Sequence, residues 1–148
     1  MKSLATETAT QLLELSPDAL IIVDGDGHIA YANSAVTQLF GYSAAELLGR
    51  GIEELLPDRF RAFHTRQRAV FSDAPSTREM GARALPLFAR RLDGSEFPVE
   101  IRLAPVELAA RPHIMAAIRD ATERRRLTDE VMAARQQADQ ANQAKSRF

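Results

Sequence analysis

Two segments in the second half of the chain alternate apolar and polar side chains with a period of two, and this pattern restricts the fold more than any other. The first spans residues 97–104 and the second spans residues 114–118. Successive side chains of a β-strand point to opposite faces of a sheet, so each segment is predicted to be a strand with one buried face. The side chains predicted to face the core are Phe97, Val99, Ile101, Leu103, Ile114, Ala116 and Ile118.

Three further strands are predicted from short apolar runs beside turn residues. Residues 19–24 form a branched apolar run, and the Gly-Asp-Gly that follows favours a hairpin whose second strand is residues 28–32. Residues 82–92 are predicted to form a strand bent at Pro86, because proline cannot donate to a sheet ladder. The Asp93-Gly94 pair then predicts a tight turn into the strand that begins near Phe97.

Short helices are predicted between the second and third strands. Asn33 is a good cap for a helix over residues 34–40, and Ser43 is a good cap for a helix ending near Leu48. Two more helices are predicted over residues 52–56 and 58–72. Loops are predicted at residues 73–81 and 109–112. Two strands, several helices and three strands in this order predict an α+β fold, in which helices cover one face of a five-stranded antiparallel sheet.

The two ends of the chain differ from this central part. Residues 1–16 carry a narrow apolar stripe at helical spacing and are predicted to form an amphipathic helix that ends before Pro17. We therefore divide the chain into this helix, a core over residues 17–120 and a helix over residues 121–148. Apolar and small residues of the last helix follow a heptad spacing, which predicts a weak coiled coil. The residues predicted to form the seam are Leu127, Val131, Ala134, Ala138, Ala141, Lys145 and Phe148.

Composition and charge exclude several classes of function. The chain has 148 residues, no cysteine and a formal net charge of -1, so disulfides and thiolate chemistry are excluded and nucleic acid is not expected as a partner. No apolar run approaches the length of a membrane span, and no secretory signal is recognisable. We expect a cytoplasmic domain without membrane contact in these residues, and a membrane anchor elsewhere in a longer protein remains compatible with this expectation.

Few residue patterns point to chemistry. The Asp24-Gly-Asp-Gly27 segment lacks the glycine and glutamate spacing of a calcium loop and is interpreted as a turn. No phosphate-binding loop or nucleophile motif is present, so we predict no enzymatic activity in these residues. His28 and His113 are interpreted as edge or surface residues. The basic run at residues 124–126 is flanked by acids and is interpreted as an exposed helix face.

Four separated segments resemble the PAS domain family. They are Leu20-Ile-Ile-Val-Asp-Gly-Asp-Gly-His-Ile-Ala-Tyr-Ala-Asn33, Leu39-Phe-Gly-Tyr-Ser-Ala-Ala-Glu-Leu-Leu-Gly49, Arg90-Arg-Leu-Asp-Gly-Ser-Glu-Phe-Pro-Val-Glu100 and Ile118-Arg-Asp-Ala-Thr-Glu-Arg124. The resemblance implies a sheet in the spatial order 2-1-5-4-3. The tail from Ala141 is similar to the helix that leads into the phosphoacceptor domain of sensor histidine kinases, which implies a sensory module separated from its kinase machinery.

The resemblance implies a role in two-component signal transduction. A signal would pass from the core through Asp120 and Thr122 into the last helix, and then to a parent kinase domain and its response regulator. The resemblance also implies a homodimer held by the terminal helices. The predicted contact residues are Leu4, Leu12, Leu15, Leu127, Val131, Ala134 and Ala138.

Two alternatives remain open at this point. In haem-binding PAS sensors a histidine on the long internal helix holds the iron, and His64 occupies the comparable position, with Arg83 near the bound gas. The predicted wall of such a pocket is Ile101, Leu103, Ile114 and Ala116. A flavin photoadduct is excluded, because the chain has no cysteine. The other alternative is a constitutive dimerisation module that binds no ligand.

Overall fold

The computed structural model describes residues 2–62, 64–65, 78–80 and 87–146. Helix α1 (Lys2–Leu15) precedes strands β1 (Ala19–Val23) and β2 (Ile29–Ala32). Helices α2 (Ser34–Phe40) and α3 (Ala44–Leu47) and a 3-10 helix (Ile52–Leu55) follow. Residues 58–62 and 64–65 are helical and are called here the central helical segment. The remaining elements are β3 (Arg78–Met80), β4 (Leu87–Arg90), β5 (Glu96–Leu108), β6 (Arg111–Asp120) and α4 (Thr122–Ser146).

The strands form one antiparallel sheet in the order β2-β1-β6-β5-β3, and β4 also pairs with β5. Met80 of β3 pairs with Ile101 of β5, whereas Leu87 of β4 pairs with Val99. Strands β3 and β4 are therefore two pieces of the same edge of the sheet. With these two pieces counted as one edge strand, the predicted five-stranded sheet in the order 2-1-5-4-3 is confirmed.

The core lies between the sheet and the short helices. The alternation in β5 and β6 is confirmed, since Phe97, Val99, Ala116 and Ile118 are buried in one cluster with residues of β1 and α2. Phe40 of α2 meets Phe97 edge-to-face, with ring centroids 5.5 Å apart. Edge-to-face packing suits the charge distribution of two aromatic rings. This contact fixes α2 against the centre of the sheet.

Local signals in the sequence set most helix ends. Asn33 caps α2 through its side chain, and Gly41 ends that helix with a left-handed φ of 86°. Ser43 and Glu46 form a capping box at the start of α3. The predicted helices over residues 34–40 and 44–48 are thus confirmed, the latter ending at Leu47. The predicted helix over residues 58–72 is confirmed in the central helical segment, and its other residues lie outside the described part of the chain.

Several boundary predictions are wrong. Residues 78–80 were expected in a loop but form β3, because β5 is long enough to pair with a strand beyond β4. The expected loop at residues 109–112 is shorter, since β6 begins at Arg111 and only Ala109 and Ala110 form the turn. His28 was placed in the second strand but forms an isolated bridge to Gly51. Pro86, the predicted bend, lies outside the described residues.

None of the described helices combines the length and the apolar character that crossing a bilayer requires.

Candidate functional site

The junction between the sheet and α4 is built around Asp120. Asp120 ends β6, and its Oδ1 accepts hydrogen bonds from the backbone N–H of Thr122, at 2.9 Å, and from the Thr122 hydroxyl. The backbone N–H of Ala121 donates to the carbonyl of Pro98 in β5, at 2.8 Å. A carboxylate in this position satisfies a donor that the helix leaves open and interacts favourably with the helix dipole. Asp120 therefore caps α4, and the cap is attached to the sheet.

Arg91 connects this cap to the core. Its Nη2 lies 3.6 Å from Asp120 Oδ2, and its Nε donates to the carbonyl of Leu39 at 3.1 Å. The guanidinium carbon lies 4.0 Å from the ring centroid of Phe97. A guanidinium over an aromatic face is attracted by the ring. The Arg91 side chain thus contacts the end of α2, the Phe97 ring in the core and the residue at the start of α4.

A second ion pair holds the first turn of α4 on the sheet. Arg124 Nη1 lies 2.6 Å from Glu100 Oε1 of β5. Arg126, in contrast, pairs with Glu123 and Glu130 of its own helix. Within the basic run at residues 124–126, Arg124 therefore pairs with the sheet and Arg126 pairs with its own helix. It forms charge pairs, as its acidic neighbours predicted.

Beyond this turn, the described side chains of the predicted coiled-coil seam are exposed to solvent. Leu127 is 48% exposed and Val131 is 54% exposed, and Ala134 and Ala138 are also exposed. Lys145 lies at the end of α4, and Phe148 lies outside the described residues. Met132, beside the seam, is 61% exposed and was not part of the predicted stripe. The apolar side chains of α4 are thus accessible over its first half.

Helix α1 is attached to the core by Asn33 and Glu14. The Asn33 side-chain N–H donates to the carbonyls of Leu13 and Asp18, at 2.8 and 3.0 Å. Its Oδ1 accepts from the backbone N–H of Leu20 at 3.0 Å. The sequence predicted only the capping role of Asn33 in α2. No local signal indicates the bonds to Leu13, because they join residues 20 positions apart.

The tyrosine hydroxyl of β2 makes the second attachment. Tyr31 donates to Glu14 Oε1 at 2.5 Å, and the Ser34 backbone N–H donates to Glu14 Oε2 at 3.2 Å. Burial, with a further contribution from the hydrogen bond to Glu14, raises the pKa of Tyr31 above its ordinary value. The predicted contact residues Leu12 and Leu15 remain 66% and 81% exposed. Leu4 lies within α1. Helix α1 is therefore held by polar contacts near its end, with apolar side chains outside.

His64 lies on the central helical segment, where its Nδ1 is 3.3 Å from Glu53 Oε1. The His64 side chain is 28% exposed and that of Glu53 is 18% exposed. Four residues predicted as a pocket wall share the inner face of the sheet, since Leu103 pairs with Ala116 and both Ile101 and Ile114 pack against the core cluster. Arg83 lies outside the described residues. The structure thus brings the four wall residues together and shows a carboxylate partner for His64 that the sequence did not indicate.

Asp24, Asp26 and His28 offer ligand atoms within 4.8 Å of one another. The Asp24 Oδ1 already accepts from the backbone N–H groups of Asp26 and His28, at 2.9 and 3.0 Å. The bond from the His28 backbone is the largest of the effects that lower the pKa of Asp24. These bonds stabilise the hairpin turn that the sequence predicted.

The sequence model of the PAS domain matches residues 17–123. The chain belongs to the PAS family. The match covers the sheet, the helices on its inner face and the Asp120 junction. The capped junction described above is therefore the end of a PAS core, where the domain continues into α4.

Two relatives of this chain are sensor proteins. The chain is 28% identical over 112 residues to the sensor protein FixL of Bradyrhizobium diazoefficiens. The matched segment is 76% of this chain and 22% of FixL. It is 44% identical over 46 residues to the sensory histidine kinase/phosphatase NtrB of Azospirillum brasilense. This matched segment is 31% of this chain and 12% of NtrB. The chain thus spans a quarter or less of the length of these relatives.

A solved structure agrees with the fold. The PAS domain of an HTR-like protein from Haloarcula marismortui superposes with a TM-score of 0.67 at 28% identity, covering 80% of this chain and 93% of that one. The PAS sheet order and the sensory family are established by these similarities. The predicted relationship to sensor histidine kinases is confirmed.

One contact in this PAS core has a form that is common around metal-binding histidines. A histidine whose second ring nitrogen meets a carboxylate is a common arrangement for metal ligands, because the carboxylate orients the ring and raises its basicity. His64 and Glu53 have this arrangement. The four wall residues are apolar and lie on the inner face of the sheet.

Proposed function

We propose that this PAS domain is a sensory and dimerisation module, which passes a change in its core through α4 to a histidine kinase of a two-component system. The observation that carries the proposal is the Asp120 cap. Asp120 binds the first residue of α4 and also contacts Arg91, which reaches the core ring of Phe97. A rearrangement in the core therefore has a direct contact through which it can shift the start of α4.

The second part of the proposal is the dimer. A coiled coil of two α4 helices would cover the Leu127 and Val131 side chains, which are about half exposed. The seam continues through Ala134 and Ala138, and small residues bury little area. Such a pair is weak enough to have two registers of similar free energy. A bistable helix pair is what a signalling module needs in order to switch.

Dimerisation is tested by sedimentation of the whole chain. We expect Val131→Glu to shift the equilibrium toward monomer by roughly tenfold or more, because a charge at the seam is desolvated in the dimer. The matched control is Gln136→Glu, which adds the same charge at a position off the seam. Equal dimer dissociation in both variants, or an unchanged dimer in Val131→Glu, contradicts the coiled coil and leaves α1 as the dimer contact. Removal of residues 1–16 then tests Leu12 and Leu15 in the same assay.

Signal relay is tested in a chimaera, in which this chain replaces the matching segment of FixL. We expect Asp120→Asn and Thr122→Val to change autophosphorylation of the chimaera while the melting temperature stays within a few degrees. Glu123→Gln is the control, because the Glu123 carboxylate pairs with Arg126 of the same helix. Regulation that is unchanged in both cap variants contradicts the relay. Transfer of the phosphoryl group to a response regulator is the readout of the complete pathway.

The second candidate function is haem-based sensing, and the observation that favours it is the Glu53 carboxylate 3.3 Å from His64 Nδ1. The test is the absorption spectrum of the whole chain after incubation with haemin. We expect a Soret band that is lost in His64→Ala and retained in His113→Ala. A band of equal height in both variants, or none in the parent chain, rejects this candidate. A spectrum without a band leaves signal relay or constitutive dimerisation without a ligand.

A further inference from the structure

The side chain of Phe88 lies at the edge of the sheet, between two helices that do not follow each other in the chain. Ala89, the next residue of β4, is buried in the core cluster, so the half-buried ring of Phe88 points to the other side of the strand. The guanidinium carbon of Arg59, on the central helical segment, lies 5.8 Å from the ring centroid. The guanidinium carbon of Arg125, in the first turn of α4, lies 5.3 Å from the same centroid.

Arg59 is fixed in this position by two hydrogen bonds. Its Nη1 and Nη2 donate to the two carboxylate oxygens of Glu96, at 3.0 and 2.7 Å. A bidentate pair restricts the plane of the guanidinium more than a single bond does. Glu96 begins β5 and pairs with Arg90 of β4, so the anchor moves with the sheet edge. The orientation of Arg59 therefore depends on where the central helical segment stands relative to that edge.

The other end of the cluster is fixed to α4. The Arg125 backbone N–H donates to the carbonyl of Ala121 at 2.9 Å, which places Arg125 in the turn that Asp120 caps. Guanidinium groups are attracted to an aromatic ring within about 6 Å of its centroid. Both guanidinium groups lie within this distance of the Phe88 ring, and Glu96 balances the charge of Arg59.

We propose that the cluster of Arg59, Phe88 and Arg125 couples the central helical segment to the first turn of α4 across the sheet edge. A displacement of Arg59 changes the environment of the Phe88 ring, and this changes the stability of the α4 turn that Arg125 holds. The link is separate from the Arg91–Asp120 contact, because the two share no side chain. A regulatory role for this link rests on the proposed role of α4 as the output helix. The energetic coupling between the two helices does not depend on that role.

The test is hydrogen exchange of the whole chain at the backbone N–H groups of residues 122–130. We expect Arg59→Gln to accelerate exchange there roughly two- to fivefold, the effect of losing the exposed contact with the Phe88 ring. The variant also removes a 4.6 Å contact with the Phe60 ring, which belongs to the same helical segment as Arg59. The matched control is Arg90→Gln, which removes the 3.7 Å contact to Asp58 of the same helical segment. Among the described residues, Arg90 lies over no aromatic ring. In a Phe88→Leu background, Arg59→Gln is expected to have no further effect.

Three results overturn the proposal. One is equal exchange at residues 122–130 in Arg59→Gln and Arg90→Gln, and another is an Arg59→Gln effect that persists undiminished in Phe88→Leu. Coupling is also reciprocal, so Arg125→Gln must accelerate exchange in residues 58–65 more than Arg124→Gln does. Equal exchange at residues 58–65 in Arg125→Gln and Arg124→Gln is the third contrary result. This comparison does not use Phe88→Leu, so it is decisive even if that variant does not fold. The Arg59→Gln variant can also be placed in the FixL chimaera. If it changes hydrogen exchange in α4 but not autophosphorylation, the energetic link is retained and a regulatory role for this link is rejected.

Discussion

Arg91 and Asp120 lie 3.6 Å apart and join the inside of the domain to the helix that leaves it. Arg91 belongs to the turn after β4, and Asp120 is the last residue of β6. The same guanidinium bonds to Leu39 and lies over Phe97. The Arg91 side chain therefore contacts α2, the Phe97 ring and the residue that precedes α4.

Replacement of Arg91 by Gln tests how much this contact stabilises the domain. We expect the free energy of unfolding to fall by about 1–2 kcal/mol, because a ring contact and a hydrogen bond to a charged group are lost together. Urea denaturation measures the change. The control is Arg50→Gln, which removes a guanidinium that lies 5.1 Å from the Tyr42 ring centroid and contacts Glu46 and Glu54. A loss no larger than that of the control contradicts the special position of Arg91.

Asn33 is expected to be among the least replaceable polar residues in the described part of the chain. It is fully buried and bonds to four backbone groups, those of Leu13, Asp18, Leu20 and Val36. Asn33→Ala removes all four of these buried bonds, and the Val36 N–H and the Leu13 carbonyl each keep one backbone partner, so we expect a loss of roughly 2–4 kcal/mol. Ser43→Ala, at an exposed cap, is expected to cost about 1 kcal/mol. Similar losses in the two variants, measured by urea denaturation, would contradict the role of burial.

The turn between β5 and β6 offers a stabilising substitution. Ala109 and Ala110 have φ angles of 51° and 62°, in the left-handed region that L-residues with a Cβ disfavour. Ala110→Gly is expected to raise the free energy of unfolding by about 1 kcal/mol, since glycine adopts this conformation without strain. Ala104→Gly, inside β5, is expected to lower it by about 0.5–1 kcal/mol. A decrease in both variants by thermal unfolding would show that the turn carries no strain.

Acid is expected to weaken the turn before β5 through Asp93. The hydrogen bond from the Ser95 hydroxyl, followed by that from the Ser95 backbone, lowers the pKa of Asp93. The carboxylate form is therefore favoured in the folded state. The resulting stability is present above the ordinary aspartate pKa of about 4 and is lost as pH falls through the lowered value.

Carboxyl NMR titration checks this expectation. In Ser95→Ala the pKa of Asp93 should rise toward its ordinary value, and the loss of stability between pH 7 and pH 3 should become smaller. Ser43→Ala is the control, because its hydroxyl bonds to the Glu46 backbone, far along the chain from Asp93. An Asp93 titration that is the same in Ser95→Ala and in the parent chain would show that Ser95 does not hold the carboxylate.

Local chemistry explains which parts of the fold could be predicted. The Asn33 cap and the turn at Asp93-Gly94 depend on residues a few positions apart, and both were predicted. The alternation around Val99 revealed which face of β5 is buried. The sheet order, in contrast, depends on contacts between distant segments, and it followed from family resemblance.

The parts that escaped prediction join residues far apart in the chain. Arg91 contacts Asp120 and Leu39, and Glu53 contacts His64, but the residue types alone do not identify these pairs. Strand β3 was predicted as a loop, because three residues show too little periodicity to be recognised without their partner strand. The proposed sensing and dimer residues were predicted from resemblance and spacing, and their roles remain predictions.

The divided edge of the sheet sets where this domain can vary. Two positions along β5, from Ile101 to Val99, correspond to seven positions along the edge, from Met80 to Leu87. The register of β3 and the register of β4 are each set by their own pairing with β5. The number of residues between the two pieces can therefore change between related domains without a shift in either register. Variation in chain length at this edge leaves the core and the Asp120 junction where they are.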